Sequence, residues 1–270
     1  MYILADIGGT NMRIARSRDL ASFDEPIIQD TPQEYEAGIA KLIEASRSLA
    51  GAERVDAVSI GMPGSIAPDK RSSRNRSTLM DWSQKPLADD IEQALASTVK
   101  LENDTALVGL GEAVFGAGKG APIVAYITVS TGVNGVRVVD ERIDRSAMGF
   151  EIGGQYTPFS SEITFEHLVS GRDVERKYGK HPRDLGKDWD GWAELARITA
   201  YALNNTILHW SPDRVVFGGS MFNEIGISVG AVRTELSSIM QKFDTLPEIV
   251  HSSLGGLGGL YGGLAYLRDR

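Results

Sequence analysis

The sequence predicts an α/β protein built on a plan used twice, and two stretches carry that prediction. Residues 3–15, ILADIGGTNMRIA, alternate apolar and polar positions around a glycine turn. Residues 123–139, IVAYITVSTGVNGVRVV, repeat the arrangement of strand, turn and strand. Between and after them lie helix-length segments with apolar spacing of three and four. The two hairpins, each opening one half of the chain, are therefore expected to border a common cleft.

In the first hairpin, Ile3, Ala5 and Ile7 alternate with Leu4, Asp6 and Gly8, and the turn is Gly8-Gly9-Thr10-Asn11. Glycine there permits positive φ and lets backbone N–H groups reach a bulky anion without a Cβ in the way, which is the design of a phosphate cradle. Asp6, at the strand end, is placed to hold Mg²⁺ or its waters, while Thr10 and Arg13 add a hydroxyl and a positive charge. The same four turn residues also satisfy ordinary hairpin chemistry.

The bulk composition bounds the function. The chain has 270 residues, 42% hydrophobic and 24% charged, enough for two moderate cores. A formal net charge of −8 disfavours a nucleic-acid partner, and the one basic cluster, Lys70, Arg71, Arg74 and Arg76, is short and serine-rich. The absence of cysteine excludes disulfides and thiolate metal sites and points to a reducing cytoplasm. The chain opens directly on a strand, so no signal peptide is expected, and no apolar run is long enough for a bilayer, so no membrane contact is expected. The thirty glycines gather at turns and near the C-terminus.

Further along, residues 33–49 have helical spacing through Tyr35, Ile39, Leu42, Ile43 and Leu49, with a break at Gly51. Val55, Ala57, Val58 and Ile60 then read as a buried strand. Its carboxyl end, the turn Gly61-Met62-Pro63-Gly64, is where ligands collect in open α/β sheets, which makes Gly64 a candidate contact. Residues 68–86 read as a polar irregular loop whose apolar knot is Leu79-Met80-Asp81-Trp82. A helix over 86–98 and a strand over 99–101 lead to Glu102-Asn103-Asp104, followed by the helical pattern TALVGLGEAVFG. Asp104 stands at a strand-to-helix junction, a position that helix capping alone also explains.

In the second half, the Ser130-Thr131-Gly132 turn repeats the phosphate-turn plan. Glu151, among glycines in GFEIGG, suits a carboxylate that points into a cleft. Residues 162–171 read as a helix ended by Ser170-Gly171 as a C-cap, and His167, His181, His209 and His251 are too scattered for a metal site. A long helix over 191–209 hands over to the strand 214–217, which ends in Gly218-Gly219-Ser220, a turn open to a base or ribose. The final helix, about 255–268, opens with small residues that permit close packing.

These segments together resemble the ROK family of sugar kinases over nearly the whole chain. LADIGGTNMRIA is similar to its first phosphate segment and ITVSTGVNGVRV to its second. LENDTALVGLGE resembles the family segment whose aspartate is the catalytic base. The resemblance implies a two-domain actin-like ATPase (ribonuclease-H-like) fold with duplicated mixed sheets flanked by helices. It implies Asp104 as general base and Asn103, Glu151 and Glu166 as sugar contacts. Thr131 and Gly132 are implied near the nucleotide, and Gly218 and Gly219 beside the nucleoside. Two departures stand out. Gly154 occupies the place of a family histidine that binds sugar and zinc, with no zinc-binding cysteines present, and Thr78 stands where an asparagine often grips the sugar.

The resulting expectation is ATP- and Mg²⁺-dependent phosphorylation of a hexose or hexose derivative, including an N-acetylhexosamine or fructose. The rival is a catalytically silent sugar-binding or regulatory protein on the same fold. The expected division is a small domain of residues 1–105 completed by 255–270, and a large domain of residues 106–254. The resemblance also implies a homodimer.

Overall fold

The computed structural model describes residues 1–75, 78–222 and 226–269, and its chain divides into two compact units. The first comprises Met1–Phe115, Arg145–Gly149 and Gly256–Arg270, and the second Gly116–Asp144 and Phe150–Gly255.

The elements of the first unit, in chain order, begin with β1 (Tyr2–Ile7), β2 (Asn11–Ser17), β3 (Ile27–Asp30), α1 (Tyr35–Ala50) and β4 (Ala57–Met62). They continue with the short hairpin β5 (Ser65–Ile66) and β6 (Ser73–Arg74), then α2 (Leu87–Leu95), β7 (Thr98–Asn103) and α3 (Asp104–Val114). The second unit holds β8 (Ile123–Val129), β9 (Val133–Val139), β10 (Arg142–Ile143), α4 (Phe165–Val169), α5 (Gly171–Tyr178), α6 (Gly191–Trp210), β11 (Arg214–Gly218), α7 (Val229–Ile239) and β12 (Glu248–His251). Helix α8 (Gly258–Arg268) returns to the first unit.

The two main sheets share one topology. The first runs β3-β2-β1-β4-β7 and the second β10-β9-β8-β11-β12. In each, the three strands that come first in the chain pair antiparallel, and the two later ones add in parallel on the other side of the first strand. The duplicated plan expected from the two hairpins is therefore present strand for strand.

The period of two explains how the first sheet presents its faces. Ile3, Ala5 and Ile7 of β1 join Met12 and Ile14 of β2 in a core closed by Tyr35, Ile39 and Leu42 of α1, Ile91 of α2 and Trp82. Leu4 and Ala15 face the opposite side and pack on Leu260 and Leu264 of α8. Asp6, two residues after Leu4, falls on that α8 side. Helices α3 and α8 meet nearly backbone to backbone, since a Cβ built at Gly262 would lie 1.8 Å from the Leu107 carbonyl oxygen. This contact carries the first unit on through α3 to Phe115.

Several sequence expectations change. The strand read as ending before Gly61 continues to Met62, and the turn shrinks to Pro63-Gly64. The stretch read as an irregular loop contains the β5/β6 hairpin, and its apolar knot is a bolt. Trp82 is 1% exposed, sits edge-on to Tyr35 with centroids 5.5 Å apart, and donates its indole N–H to Pro32 O at 3.1 Å. Of the basic cluster, Lys70 and Arg71 pair with Glu102, Asp89 and Glu92 of the same unit, and Arg76 lies outside the described residues. Ser170 ends α4 as expected, its N–H donating to Glu166 O at 2.9 Å, and it also opens the next helix. Ser170 caps α5, with Oγ accepting the Asp173 N–H at 3.3 Å and donating to its carboxylate at 2.7 Å, a reciprocal capping pair. No described helix is long and apolar enough to cross a membrane.

Candidate active site

In the first unit, β1 delivers Asp6 and the antiparallel register sets it opposite Arg13 of β2. The guanidinium lies 3.8 Å from the carboxylate, whose side chain is 14% exposed. On its other flank the parallel register aligns Asp6 with Gly61. A Cβ at Gly61 would stand 3.6 Å from both Asp6 Oδ1 and the Asp104 Cα. Any side chain there would intrude between the two aspartates. Burial, then the negative charge of Asp104, pushes the Asp6 carboxyl up to about 7 against the opposing pull of Arg13.

Asp104 and Asn103 divide the labour at the start of α3. Asn103 is the N-cap, its Oδ1 accepting the Ala106 N–H at 3.0 Å, and its Nδ2 donates to Gly64 O at 3.0 Å. Asp104 is thereby relieved of the capping role. Its Oδ1 accepts the Thr105 N–H at 2.7 Å, and Oδ2 takes no part in that bond. Burial raises this carboxyl above the usual carboxylate range, with the Thr105 N–H and hydroxyl working the other way. A carboxylate with raised proton affinity, opening a helix beside a second such acid, has the chemistry of a general base.

The Gly8–Asn11 turn is closed by Gly8, whose N–H donates to Asn11 O at 2.9 Å. Gly9 O accepts from Gln33 Nε2 at 3.0 Å, and Thr10 O accepts the Thr31 N–H at 2.8 Å, so the turn is tied down while Thr10 stays exposed. Thr78 touches this turn: a Cβ at Gly9 would lie 2.5 Å from its methyl group. Gly64, at φ +93°, meets Asn75 and Arg74 so closely that a Cβ would be 2.5 Å from Asn75 Oδ1. The structure thus gathers Asp6, Gly8, Gly9, Thr10, Asn11, Arg13, Gly64, Thr78, Asn103 and Asp104 into one unit.

In the second unit, Ser130 N–H donates to Gly132 O at 2.8 Å, and Ser130 O accepts the Gly171 N–H at 2.7 Å, leaving Thr131 exposed at the tip. Glu166 reaches this turn. Its Oε2 accepts the Val133 N–H at 2.9 Å and its Oε1 accepts from Arg172 at 2.9 Å. Glu151 is exposed ahead of a short turn over Ile152–Gly154, and a Cβ added at Gly154 would meet nothing within 4 Å. Gly218 and Gly219 pack on β8: a Cβ at Gly218 would lie 2.3 Å from the Tyr126 hydroxyl, and one at Gly219 2.3 Å from Val129 O. Close approach inside the unit is reason enough for these two glycines.

Sequence reasoning missed Gly61 and Gly259 as parts of the site. A Cβ at Gly259 would lie 2.5 Å from Asp6 Cγ, so α8 forms one wall of the Asp6 pocket. The small-residue run in the last helix was the available signal, but only the fold says what it packs against. Among the described residues, no three His, Cys, Asp or Glu side chains are grouped to hold a metal. Two hard carboxylates fit Mg²⁺, which keeps waters and takes phosphate oxygens rather than a full protein cage.

Comparison with known proteins agrees with this architecture. The family model described as "ROK family" matches residues 2–270. A glucokinase of Halalkalibacterium halodurans is 30% identical over 97% of this chain and 93% of its own length. A ROK hexokinase from Thermus thermophilus superposes with a TM-score of 0.83 at 25% identity, covering 99% of this chain and 98% of that one. A ROK family glucokinase from Streptomyces griseus, crystallised with glucose and AMPPNP, superposes with a TM-score of 0.80 at 24% identity, covering 98% of each chain. The fold is thus the two-domain α/β architecture of the actin-like ATPases, and the chain belongs to the ROK family.

Proposed function

We propose that this protein catalyses ATP-dependent phosphorylation of a hexose or hexose derivative, with Asp104 as general base. The observation that carries the reading is the division of roles at the start of α3. Asn103 caps the helix, and Asp104, its proton affinity raised by burial, is left to accept a proton. Kinship over the full chain with proteins named glucokinase and hexokinase supports the same activity.

In the proposed reaction the sugar hydroxyl oxygen attacks the γ-phosphorus of ATP. The bond from that phosphorus to the bridging oxygen breaks, ADP leaves, and the hydroxyl proton passes to Asp104. The base contributes about 10²–10⁴-fold. Backbone N–H groups of the turn at Gly8-Gly9-Thr10-Asn11, with Arg13, orient phosphate oxygens. Thr131 and Gly132 serve the nucleotide in the second unit, and Gly218 and Gly219 face its nucleoside. Asp6 would hold Mg²⁺ or its waters, and the ion would supply neutralisation of charge on the phosphates. A neutral sugar offers only hydroxyls to recognise. Glu151, Glu166, Asn103, Thr78 and Gly64 O are assigned to them, with Glu166 at the same time bracing the Val133 N–H.

An assay coupled to ADP release, run with glucose, fructose, mannose, N-acetylglucosamine and N-acetylmannosamine, tests the proposal. At least one sugar is expected to be turned over, and Asp104→Ala to lower kcat by about 10²–10⁴-fold with ATP and sugar binding retained. Near-normal turnover by that variant would reject Asp104 as the base.

A further inference from the structure

We propose that Glu102 is a positioning residue for the reaction. It is a buried carboxylate that fixes the strand end carrying Asn103 and Asp104 by tying it to the Gly64–Asn75 hairpin and to the last helix. The assignment rests on the reading of Asp104 as base.

Glu102 lies on β7 in parallel register with Gly61 and is 8% exposed. An ionised group is taken from water only when partners replace the lost hydration. Glu102 has three. Its Oε1 accepts the N–H of Asn103 at 2.9 Å, and its Oε2 accepts from Lys70 Nζ at 2.7 Å and from the Tyr266 hydroxyl at 3.3 Å.

Each partner belongs to a different element. The Asn103 N–H is the backbone from which the chain leaves β7 for α3, so this bond sets the direction in which Asp104 departs. Lys70 sits in the turn of the β5/β6 hairpin at φ +58°, its own N–H donating to Ala67 O at 2.8 Å. The base of that hairpin is held by the next residue, through the bond from Asn103 Nδ2 to Gly64 O. Consecutive residues 102 and 103 therefore grip the hairpin at two points. Tyr266 is held at both ends, by Glu102 at its hydroxyl and by Lys100 Nζ at its carbonyl, 3.2 Å away. None of these groups touches the reacting atoms in the proposed reaction. Their joint effect is to hold the Asp104 backbone within the tolerance that proton transfer demands.

Lys70 provides a test that spares the fold. Its side chain is 48% exposed against 11% for Glu102, so the lysine can be replaced without opening a cavity, at a modest cost in stability for the carboxylate left behind. The full chain is assayed with ATP and a sugar that the wild type turns over. A misplacement approaching 1 Å costs up to about 10²-fold in rate. On that scale Glu102→Gln is expected to lower kcat by about 30-fold and Lys70→Met by about 10-fold. Both should keep KM for ATP within about twofold, because nucleotide contacts are not moved. Lys70→Met should melt only a few degrees, about 2–4 °C, below the wild type, and Lys70→Arg should recover kcat.

Wild-type kcat in Glu102→Gln and Lys70→Met would overturn the assignment while the loss in Asp104→Ala leaves the kinase reading standing. Failure of Lys70→Arg to recover would overturn it too, as would losses shared equally between kcat and KM for ATP alongside early melting. A wild type that phosphorylates no sugar in the panel would overturn both readings.

Discussion

Replacing Gly259 with alanine is the sharpest probe of how α8 shapes the site. The added Cβ would lie 2.5 Å from Asp6 Cγ and 2.7 and 2.8 Å from its two oxygens, where ordinary contact begins near 3.4 Å. The carboxylate or the helix must therefore retreat by about 0.9 Å, and the close α3–α8 contact at Gly262 and Leu107 leaves the helix little room. A displacement of that size at the group proposed to hold Mg²⁺ is worth up to about 100-fold in kcat.

Gly263→Ala in the same helix is the control. There the new Cβ would meet Ser59 Oγ at 3.1 Å and Leu4 Cδ2 at 3.4 Å, contacts that small shifts relieve. Both variants gain the helix-propensity advantage of alanine, up to about 1 kcal/mol. The overpacked Gly259→Ala loses about 1–3 kcal/mol against it. Rates from the ADP-release assay across a Mg²⁺ titration, with thermal melts of both variants, separate the two. Wild-type kcat and Mg²⁺ dependence in Gly259→Ala would refute the claim that α8 presses on Asp6.

Four further outcomes follow from the structure. Because burial and Asp104 raise Asp6 to about 7, the folded state holds a proton that the unfolded chain, with an aspartate near 4, has released. Folding stability contributed by this group is present below about pH 4 and is lost as pH rises through 7. Asp6→Asn should accordingly melt higher than wild type at pH 8 and no higher at pH 4, by at most about 4 kcal/mol, while losing activity. In the wild type, kcat/KM should fall as pH drops below about 7, because the protonated acid no longer attracts the cation. Trp82→Ala, which empties the space against Gly38 and removes the bond to Pro32 O, should cost about 3–5 kcal/mol in denaturant unfolding. Glu166→Ala should raise KM for sugar about tenfold or more and KM for ATP several-fold, since it also frees the Val133 N–H, each bond being worth about 1.5–3 kcal/mol.

The legible parts of this molecule were the local ones. A glycine turn between two alternating strands, and an Asn-Asp pair ahead of a helical pattern, declare themselves within a dozen residues. The capping contact of Asn103 with Ala106 lies only three residues away. What escaped depends on distant partners. Strand β3 is four residues long and half exposed at a sheet edge, so its alternation is too short to stand out. Strand β12 is equally brief, and α7 begins after a serine cap set among glycines and β-branched residues, which weaken the helical signal. Ser170 was rightly read as a stop, but its second role as the start of α5 rests on a Ser-x-x-Asp spacing that lies beyond the glycine after it. The demand for glycine at position 259 comes from Asp6, and the tight fit at position 61 from Leu107, at separations that no local window spans.

The interleaving of the chain has a consequence for biosynthesis. All of the second unit is translated between Phe115 and Gly256, so the polypeptide that emerges first must wait for more than half of its own length. Until Leu260 and Leu264 leave the ribosome, Leu4 and Ala15 lack the two buried leucines of their cluster, and Asp6 lacks the neighbour that Gly259 supplies. A nascent chain interrupted anywhere in that interval carries both aspartates and the Gly8–Asn11 turn, yet leaves an oily sheet face open to chaperones and proteases.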